Sequence, residues 1–374
     1  MIKSSARPRK DDDKHGITER HGREMNNLFS TLVIGILLSI GLGYPATFLA
    51  KKLGLLDVPG SAPHKTHDRT TPLAGGILAA LTLAIMIIIF RQWLDRKILA
   101  VFAGAFVIFA FGVWDDRKGL SAGPKLIGQL IASAILISSG VQVYFISILT
   151  YAGIIPPFVA QVVNICITLF WLVGITNALN MIDSMNGIVA GLGIIASAIF
   201  WGATMFAGQN VIAFWAAVLL AISIGLYFWN NTLSKIFLGD SGSQTIGFLL
   251  ASFGILYTPL NRNPESSWIV PIMLLSVPIF DTSLVVLSRI KRKQMIGSGR
   301  LDHTYHRLIA MGFSPRSAVL STHMTALMVS GLAFLTLYLS PTVALSIFVL
   351  TIVCGIVFLL WLEKQPTLDD QAFD

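Results

Sequence analysis

The sequence predicts an all-α fold, a polytopic transmembrane bundle of about eleven helices. Apolar residues make up 54% of the 374-residue chain and charged residues only 12%, roughly half the charged share of a soluble domain. The apolar residues come in runs of about 17 to 23, long enough for a run to cross a bilayer as a helix. Because lipid cannot satisfy backbone polar groups, each run must bond its own backbone within a helix.

The apolar runs define the predicted spans. These cover residues 28–50, 73–90, 98–113, 125–145, 158–179, 188–206, 211–229, 241–260, 268–290, 317–338 and 341–362. Pro156 and Pro157 interrupt the apolar stretch 146–157, so we expect an interfacial hairpin or loop there. The membrane domain is therefore predicted over residues 28–362. A polar, disordered N-terminal tail (1–27) would precede it, and a short C-terminal tail (363–374) would follow it.

Charge predicts the orientation of the chain in the membrane. An odd number of spans puts the termini on opposite sides, and the loops on one side are much richer in Lys and Arg. The positive-inside rule makes that side cytoplasmic, with the N-terminus outside and the C-terminus in the cytoplasm. The net charge of +8 then reflects these loops, and we expect no binding of nucleic acid. Most acidic helix ends share the basic side, so we expect an active site on the cytoplasmic face.

Two adjacent carboxylates, Asp115 and Asp116, directly follow the third apolar run. Each charge loses hydration at a membrane boundary, and each repels the other. A divalent cation shared with a phosphate would relieve both costs. The pair therefore predicts a metal-dependent enzyme that acts on a phosphorylated substrate. The alternative is that such acids only cap helices and mark the ends of loops.

Asp240 and Lys125 each lie where a predicted span begins. Asp240 belongs to a glycine-rich stretch at a helix N-terminus, which favours a phosphate. We expect Asp240 to bind a metal that the phosphate also binds, and a simple N-cap role is the alternative. The ammonium of Lys125 can face a phosphate, or the side chain can snorkel to the membrane interface.

Further polar segments indicate where substrates bind. Amides and a carboxylate at the end of the fifth span suit a nucleobase, a sugar or a metal. The basic loop over 51–72 suits a nucleotide or anionic membrane lipids, and the histidine-bearing hairpin before the tenth span suits a diphosphate. The candidate substrate-binding residues are Lys65, His67, Asn177, Asn180, Asp183, Asn186, Arg300, His303 and His306.

Together, in this order, the motifs closely resemble those of the polyprenyl-phosphate N-acetylhexosamine-1-phosphate transferases. The resemblance extends from about Asp57 to Leu308. It rests on the Asp-Asp pair, Leu-Ser-x-x-x-Lys-Leu, Asn-x-x-Asn-x-x-Asp, Phe-x-Gly-Asp-x-Gly-Ser and the histidine-bearing hairpin. It implies transfer of a sugar phosphate from a UDP-N-acetylhexosamine to undecaprenyl phosphate, with Mg2+ as cofactor and Mn2+ as a substitute. We expect catalysis by Asp115, Asp116, Lys125 and Asp240, with the three aspartates as metal ligands.

Within the family, the chain is most similar to the bacterial inner-membrane branch that starts O-antigen, enterobacterial common antigen or teichoic acid linkage synthesis. That branch usually takes UDP-N-acetylglucosamine. A phospho-MurNAc-pentapeptide transferase of the peptidoglycan branch is the alternative. That branch has a run of adjacent histidines in its last cytoplasmic loop, whereas this chain has His303-Thr304-Tyr305-His306, which disfavours it. Tyr305 replaces a histidine of the family pattern. Asn186 replaces an aspartate, which could signal a different UDP-sugar.

A secondary transporter and a non-catalytic membrane scaffold are the alternatives from other classes of protein. Asp281 lies inside the ninth predicted span, where an acid can mark the ion path of a secondary transporter. A transporter should show internal repeats, which the sequence lacks. A non-catalytic scaffold would leave the clustered acids without purpose. We also expect a homodimer.

Overall fold

The computed structural model describes residues 28–60, 69–91, 95–146, 150, 153–259, 264–295, 297 and 300–368, and most of these are helical. The predicted tail over 1–27 and the candidate residues Lys65 and His67 lie outside the described residues. The helices are α1 (Leu28–Gly41), α2 (Gly43–Lys52), α3 (Gly75–Phe90), α4 (Arg96–Lys118), α5 (Ala122–Ser138), α6 (Pro157–Ile182), α7 (Ile188–Phe206), α8 (Asn210–Tyr227), α9 (Gly239–Leu256), α10 (Pro264–Ser267), α11 (Ile269–Leu274), α12 (Ser276–Lys291), α13 (Thr304–Ala310), α14 (Pro315–Thr336) and α15 (Pro341–Glu363).

The helices confirm an all-α polytopic membrane protein. Among the described residues, 6 helices are long and apolar enough to cross a membrane, or up to 7 if the bent pair α1 and α2 is one span. The helices α3 and α5 are apolar but shorter. The number of about eleven spans stays a prediction, because several predicted spans are short or broken helices.

The predicted span over 125–145 is a helix only as far as Ser138. The chain then leaves the helix and runs against α6, whose polar side chains replace the missing helical bonds. The backbone N–H of Val143 donates to Thr168 Oγ1 (2.9 Å), and that of Ile146 donates to Asn164 Oδ1 (3.3 Å). These bonds satisfy backbone groups that apolar surroundings could not.

The predicted span over 268–290 is broken into α11 and α12 at Leu275. Pro278 explains the break, because proline has no N–H for the carbonyl four residues earlier and its ring clashes with that carbonyl. The break leaves Asp281 in the second turn of α12 rather than in the middle of one continuous helix.

Helix α9 lies at the centre of the bundle, with its residues from Ser241 to Gly254 buried. Its first turn packs tightly against α3 and α4 at two glycines. A Cβ on Gly76 would lie 2.3 Å from Ser241 Oγ, and a Cβ on Gly112 would lie 2.4 Å from Ser241 Cα. Only glycine permits such an approach, so these contacts hold the start of α9 beside the end of α4.

A short strand contact fixes the same region from the other side. Strands β1 (Leu56–Asp57) and β2 (Thr71–Pro72) pair in antiparallel fashion just before α3. The N–H of Phe237 donates to the carbonyl of Pro72 at 2.9 Å, and a parallel bridge joins Leu73 to Phe237. Helices α3 and α9 therefore begin side by side.

Candidate active site

Asp116, in the last turn of α4, binds the N-terminus of α9. Its Oδ1 accepts from the N–H of Asp240 (2.7 Å), and its Oδ2 accepts from Ser241 Oγ (2.5 Å) and from the Ser241 N–H (3.2 Å). A helix N-terminus leaves N–H groups unbonded and carries partial positive charge, so a carboxylate is stabilising there. The capping role therefore belongs to Asp116, which is distant in sequence, rather than to Asp240.

The ammonium of Lys125 lies between two carboxylates. Its Nζ is 2.7 Å from Oδ2 of Asp240 and forms a second ion pair with Oδ2 of Asp115. The Asp115 side chain is buried, and its Oδ1 accepts from the Leu120 N–H at 2.6 Å. Helices α4, α5 and α9 thus bring together the carboxylate cluster, which consists of Asp115, Asp116, Lys125 and Asp240.

Asp240 receives two more donors on the same oxygen. Asn180 Nδ2 and Gln244 Nε2 each lie 3.3 Å from its Oδ2. Ser243 Oγ donates in turn to Asn180 Oδ1 at 3.0 Å. Asn180 therefore reaches the carboxylate cluster from the end of α6.

Asn177, one turn earlier on α6, bonds to Gln129 and to its own helix. Its Nδ2 donates to Gln129 Oε1 (2.8 Å) and to the carbonyl of Val173 (2.8 Å). Gln129 Nε2 donates back to Asn177 Oδ1 at 3.0 Å. In this structure Asn177 is part of the support beneath the cluster, and its predicted substrate contact stays a prediction.

Asp183 follows α6 and is half-buried beside the cluster. Burial raises the pKa of its carboxyl well above the usual range, and the negative charges of Asp240 and Asp116 raise it further. Without a cation the Asp183 carboxyl therefore favours its protonated form, and a bound cation would favour its ionised form.

Asn186 is exposed on the loop between α6 and α7. Asn230, in a π-helical turn that follows α8, ties down this loop. Its Oδ1 accepts from the Gly187 N–H at 2.6 Å, and its Nδ2 lies 3.5 Å from Asn186 Oδ1. Asn186 is thus held near the end of α6 with its side chain accessible.

Buried polar contacts anchor the histidine-bearing hairpin. His303 Nδ1 lies 2.7 Å from Oδ2 of Asp281, whose Oδ1 accepts from the Thr304 N–H at 2.7 Å. Arg289 donates to both oxygens of Asp302, at 2.9 and 2.8 Å. Burial acts to raise the pKa of Asp302, but the Arg289 guanidinium outweighs it and lowers that pKa. Asp281 therefore holds the hairpin, which removes the observation that favoured a transporter.

His306 and Tyr305 are both buried in this hairpin, with ring centroids 4.3 Å apart. Burial, together with the charge of His303, lowers the pKa of His306 to about 3. Burial and the nearby charges of Asp281 and Asp183 raise the pKa of Tyr305. Both rings are therefore neutral at pH 7.

Arg307 anchors the histidine-bearing hairpin, and it was not among the residues predicted from the sequence. It is fully buried, and its Nη1 donates to the carbonyls of Leu362, Glu363 and Gln365, at 3.1, 3.1 and 2.9 Å. It thereby binds the C-terminal end of α15 to the hairpin. Its position directly after His306 was visible in the sequence, but its partners were not. Arg300 is half-buried in the loop before α13.

Gln129 and Gln244 also lie at the site, although they were not among the candidate residues predicted from the sequence. Each lies four positions after a charged residue of the cluster, Lys125 and Asp240 respectively, on the same helix. A spacing of four places side chains on one helix face, so this signal was available.

The carboxylate cluster fits a divalent cation in its chemistry, although its side chains are bonded to one another in this structure. Within the described residues, no three of the His, Cys, Asp and Glu side chains form a ready-made metal site. The ammonium of Lys125 lies between Asp115 and Asp240, and both oxygens of Asp116 are bonded to α9. The donor set is nevertheless all hard carboxylate oxygen with excess negative charge, which suits Mg2+ once substrate phosphates complete the coordination.

The sequence is similar to a family of glycosyl transferases and to several bacterial sugar-phosphate transferases. Residues 98–258 match the model of glycosyl transferase family 4. The chain is 30% identical over 332 residues to the probable undecaprenyl-phosphate N-acetylglucosaminyl 1-phosphate transferase of Bacillus subtilis (strain 168), across 87% of this chain and 88% of that protein. It is 26% identical over 294 residues to the undecaprenyl-phosphate alpha-N-acetylglucosaminyl 1-phosphate transferase of Escherichia coli (strain K12), across 75% and 77% of the two chains.

A mycobacterial protein adds a third relative. The chain is 30% identical over 244 residues to the decaprenyl-phosphate N-acetylglucosaminephosphotransferase of Mycobacterium leprae (strain TN), across 60% of each chain. The fold and these matches define a membrane-embedded glycosyl transferase of family 4. The chain belongs to the polyprenyl-phosphate N-acetylhexosamine-1-phosphate transferases, which confirms the resemblance of its motifs.

Proposed function

We propose that this protein transfers N-acetylglucosamine 1-phosphate from UDP-N-acetylglucosamine to undecaprenyl phosphate and releases UMP. The observation that carries the proposal is the meeting of Asp115, Lys125 and Asp240, from three helices, at one end of the bundle. Its relatives in Bacillus subtilis and Escherichia coli bear names that describe this lipid acceptor and this sugar. The reaction would be the first membrane step in making a cell-surface polysaccharide or teichoic acid.

The chemistry joins two anionic phosphates. An oxygen of the lipid phosphate forms a bond to the sugar-bearing phosphorus, while the bond from that phosphorus to the bridging oxygen of UMP breaks. The lipid phosphate is already largely ionised near neutral pH, so a general base is hardly needed. The task left to the protein is to orient the phosphates and offset their repulsion.

The residues of the cluster fit this task. Lys125 brings an ammonium that can donate to a phosphate oxygen in place of one of its carboxylates. Asp240 and Asp115 are the proposed holders of Mg2+, and Asp183 lies near Asp240 as a further carboxyl group. The predicted metal role of Asp116 stays a prediction, since its present partners are the N–H groups of α9. When bound, Mg2+ would neutralise the diphosphate and stabilise the leaving UMP.

The binding site of the UDP-sugar is proposed to adjoin the carboxylate cluster. We infer that Asn180, Asn186, His303 and His306 line the path of the UDP-sugar. Asn180 bonds to Asp240 and Asn186 is exposed just after α6, while the two histidines belong to the hairpin that the family motifs include. We propose that the active site faces the cytoplasm at the bacterial inner membrane. The excess of Lys and Arg in the loops at that end of the bundle supports this orientation. The homodimer stays a prediction.

The direct test uses purified protein with undecaprenyl phosphate and a radiolabelled UDP-sugar. We expect a lipid-linked product and one UMP per product with UDP-N-acetylglucosamine. Parallel reactions with UDP-N-acetylgalactosamine and UDP-MurNAc-pentapeptide test the sugar and the peptidoglycan alternative. Preferred use of UDP-MurNAc-pentapeptide, or no lipid-linked product from any donor, would contradict the proposal.

A further inference from the structure

Three amide side chains form a hydrogen-bonded chain beneath Asp240, and the proposed mechanism does not use them. Gln129 comes from α5, Asn177 from α6 and Gln244 from α9. Gln129 and Gln244 are buried, and Asn177 is half-buried. Buried amides are costly unless bonded, so three of them converging on one point call for an explanation.

One backbone carbonyl determines which group donates and which accepts in every hydrogen bond of this series of amides. The carbonyl of Val173 can only accept, so the group of Asn177 that faces it at 2.8 Å is the Nδ2 donor. The same Nδ2 donates to Gln129 Oε1, which turns Gln129 Nε2 toward Asn177 Oδ1 and Gln244 Oε1, the latter at 3.1 Å. Gln244 must then direct its Nε2 donor at Asp240 Oδ2, at 3.3 Å.

The direction of these bonds matters because a carboxylate only accepts. If Gln244 rotated by half a turn, its amide oxygen would face the Asp240 carboxylate, and two acceptors would repel each other. In the observed orientation, Gln244 joins Lys125 and Asn180 as the third donor to Oδ2 of Asp240. Fixing one oxygen of a carboxylate also fixes the direction of the other.

We propose that Gln129 is a positioning residue that acts through Gln244 to fix the orientation of the Asp240 carboxylate. The inference rests on the proposed function, because it concerns the residue on which transfer is proposed to depend. Gln129 is bonded to two other amides beneath the cluster, so its effect on catalysis is one of geometry. A small misplacement of a reacting or metal-binding group costs about 100-fold in rate.

The test is a double-mutant cycle with Gln129→Met, Gln244→Met and both together. Methionine keeps the length of glutamine and removes its polar atoms. We expect Gln129→Met to lower kcat about 10- to 100-fold and to change KM for UDP-N-acetylglucosamine less than about twofold. Because Gln129 acts through Gln244, the double variant should match Gln244→Met alone.

A matched control comes from the other end of α6. Gln142 and Gln161 form an amide pair there, at 3.2 and 3.3 Å, away from the carboxylate cluster. We expect Gln142→Met to keep kcat within about twofold of wild type. If Gln129→Met does not fold, Gln129→Leu replaces it in the cycle, since leucine also removes the polar atoms and adds no charge.

Two outcomes would overturn the proposal: losses in kcat that multiply in the double variant, or a Gln129→Met enzyme with wild-type kcat. The melting temperatures of the same four proteins give a readout that does not depend on activity. If the wild type forms no lipid-linked product, the proposed function fails. The double-mutant cycle measured in melting temperature then tests whether Gln129 and Gln244 are coupled. Non-additive shifts support the coupling and additive shifts refute it.

Discussion

Lys125 and Asp240 lie 115 residues apart in the sequence, yet the Lys125 ammonium nitrogen is 2.7 Å from Oδ2 of Asp240. The same ammonium contacts Asp115 at the end of α4. One cation therefore holds two carboxylates together that would otherwise repel each other. The arrangement suits a site that must accept further negative charge from two phosphates.

Replacing Lys125 should abolish most of the activity. Lys125→Met leaves Asp115 and Asp240 without their shared cation and removes a donor for a phosphate, so we expect kcat to fall by about 100-fold or more. The matched control is Lys118→Met, at the exposed end of α4. Loss of rate in both variants, or in neither, would contradict this role for Lys125.

Asp116 and Asp240 should differ in what their loss costs. Asp116→Ala removes the acceptor for three donors at the start of α9 and should cost about 1–2 kcal/mol of stability, as well as activity. Asp240→Asn keeps the shape and should lower kcat by orders of magnitude with little change in melting temperature. The check is thermal unfolding in detergent beside kcat. Equal loss of stability in both variants would show that Asp240 is chiefly structural.

The carboxylate cluster was the most predictable part of the site. Acids and a lysine at the ends of apolar runs are visible in the sequence, and a membrane restricts those ends to two faces. Their convergence could therefore be expected before any distance was known. The capping of α9 by Asp116 could not, because it depends on which helix packs beside α4, and that is decided by close contacts at Gly76 and Gly112.

The breaks in helices were less predictable. Apolar content alone gives the span over 268–290, while the structure divides it near Pro278. The end of α5 at Ser138 depends on Asn164 and Thr168, which satisfy the extended chain from a different helix. Hydropathy identifies which segments are apolar, but not where their backbone bonds are made.

Acid should destabilise the protein partly through His306. Its pKa is about 3 in the folded protein and near 6.5 when unfolded, so the unfolded state takes up a proton first as the pH falls. The contribution of His306 to the free energy of unfolding is complete above pH 6.5. Below that pH the free energy of unfolding falls by about 1.4 kcal/mol per pH unit, down to about pH 3. The melting temperature of wild type should therefore fall faster than that of His306→Gln between pH 7.5 and 5. Parallel curves would contradict the burial of a neutral His306.

Arg307 should be needed for stability because it joins the hairpin to the end of α15. Arg307→Lys keeps the charge but cannot reach three carbonyls and Ser288 at once, so we expect a loss of about 3 kcal/mol. Arg316→Lys, at an exposed position on α14, is the control and should leave the melting temperature unchanged. Equal melting temperatures for the two variants would rule out the anchoring role.

Removal of divalent cations should stop transfer reversibly. A chelator would leave the repulsion between the lipid phosphate and the diphosphate of the UDP-sugar uncompensated, so we expect activity to vanish and to return with Mg2+ or Mn2+. Cation binding is checked separately, as a rise in melting temperature on adding Mg2+ that is lost in Asp240→Asn. Glu363→Gln removes a carboxylate that pairs with Lys291 instead, and it should keep the rise. Full turnover in excess chelator would exclude a required metal, and an Asp240→Asn protein with an undiminished rise would place the cation elsewhere.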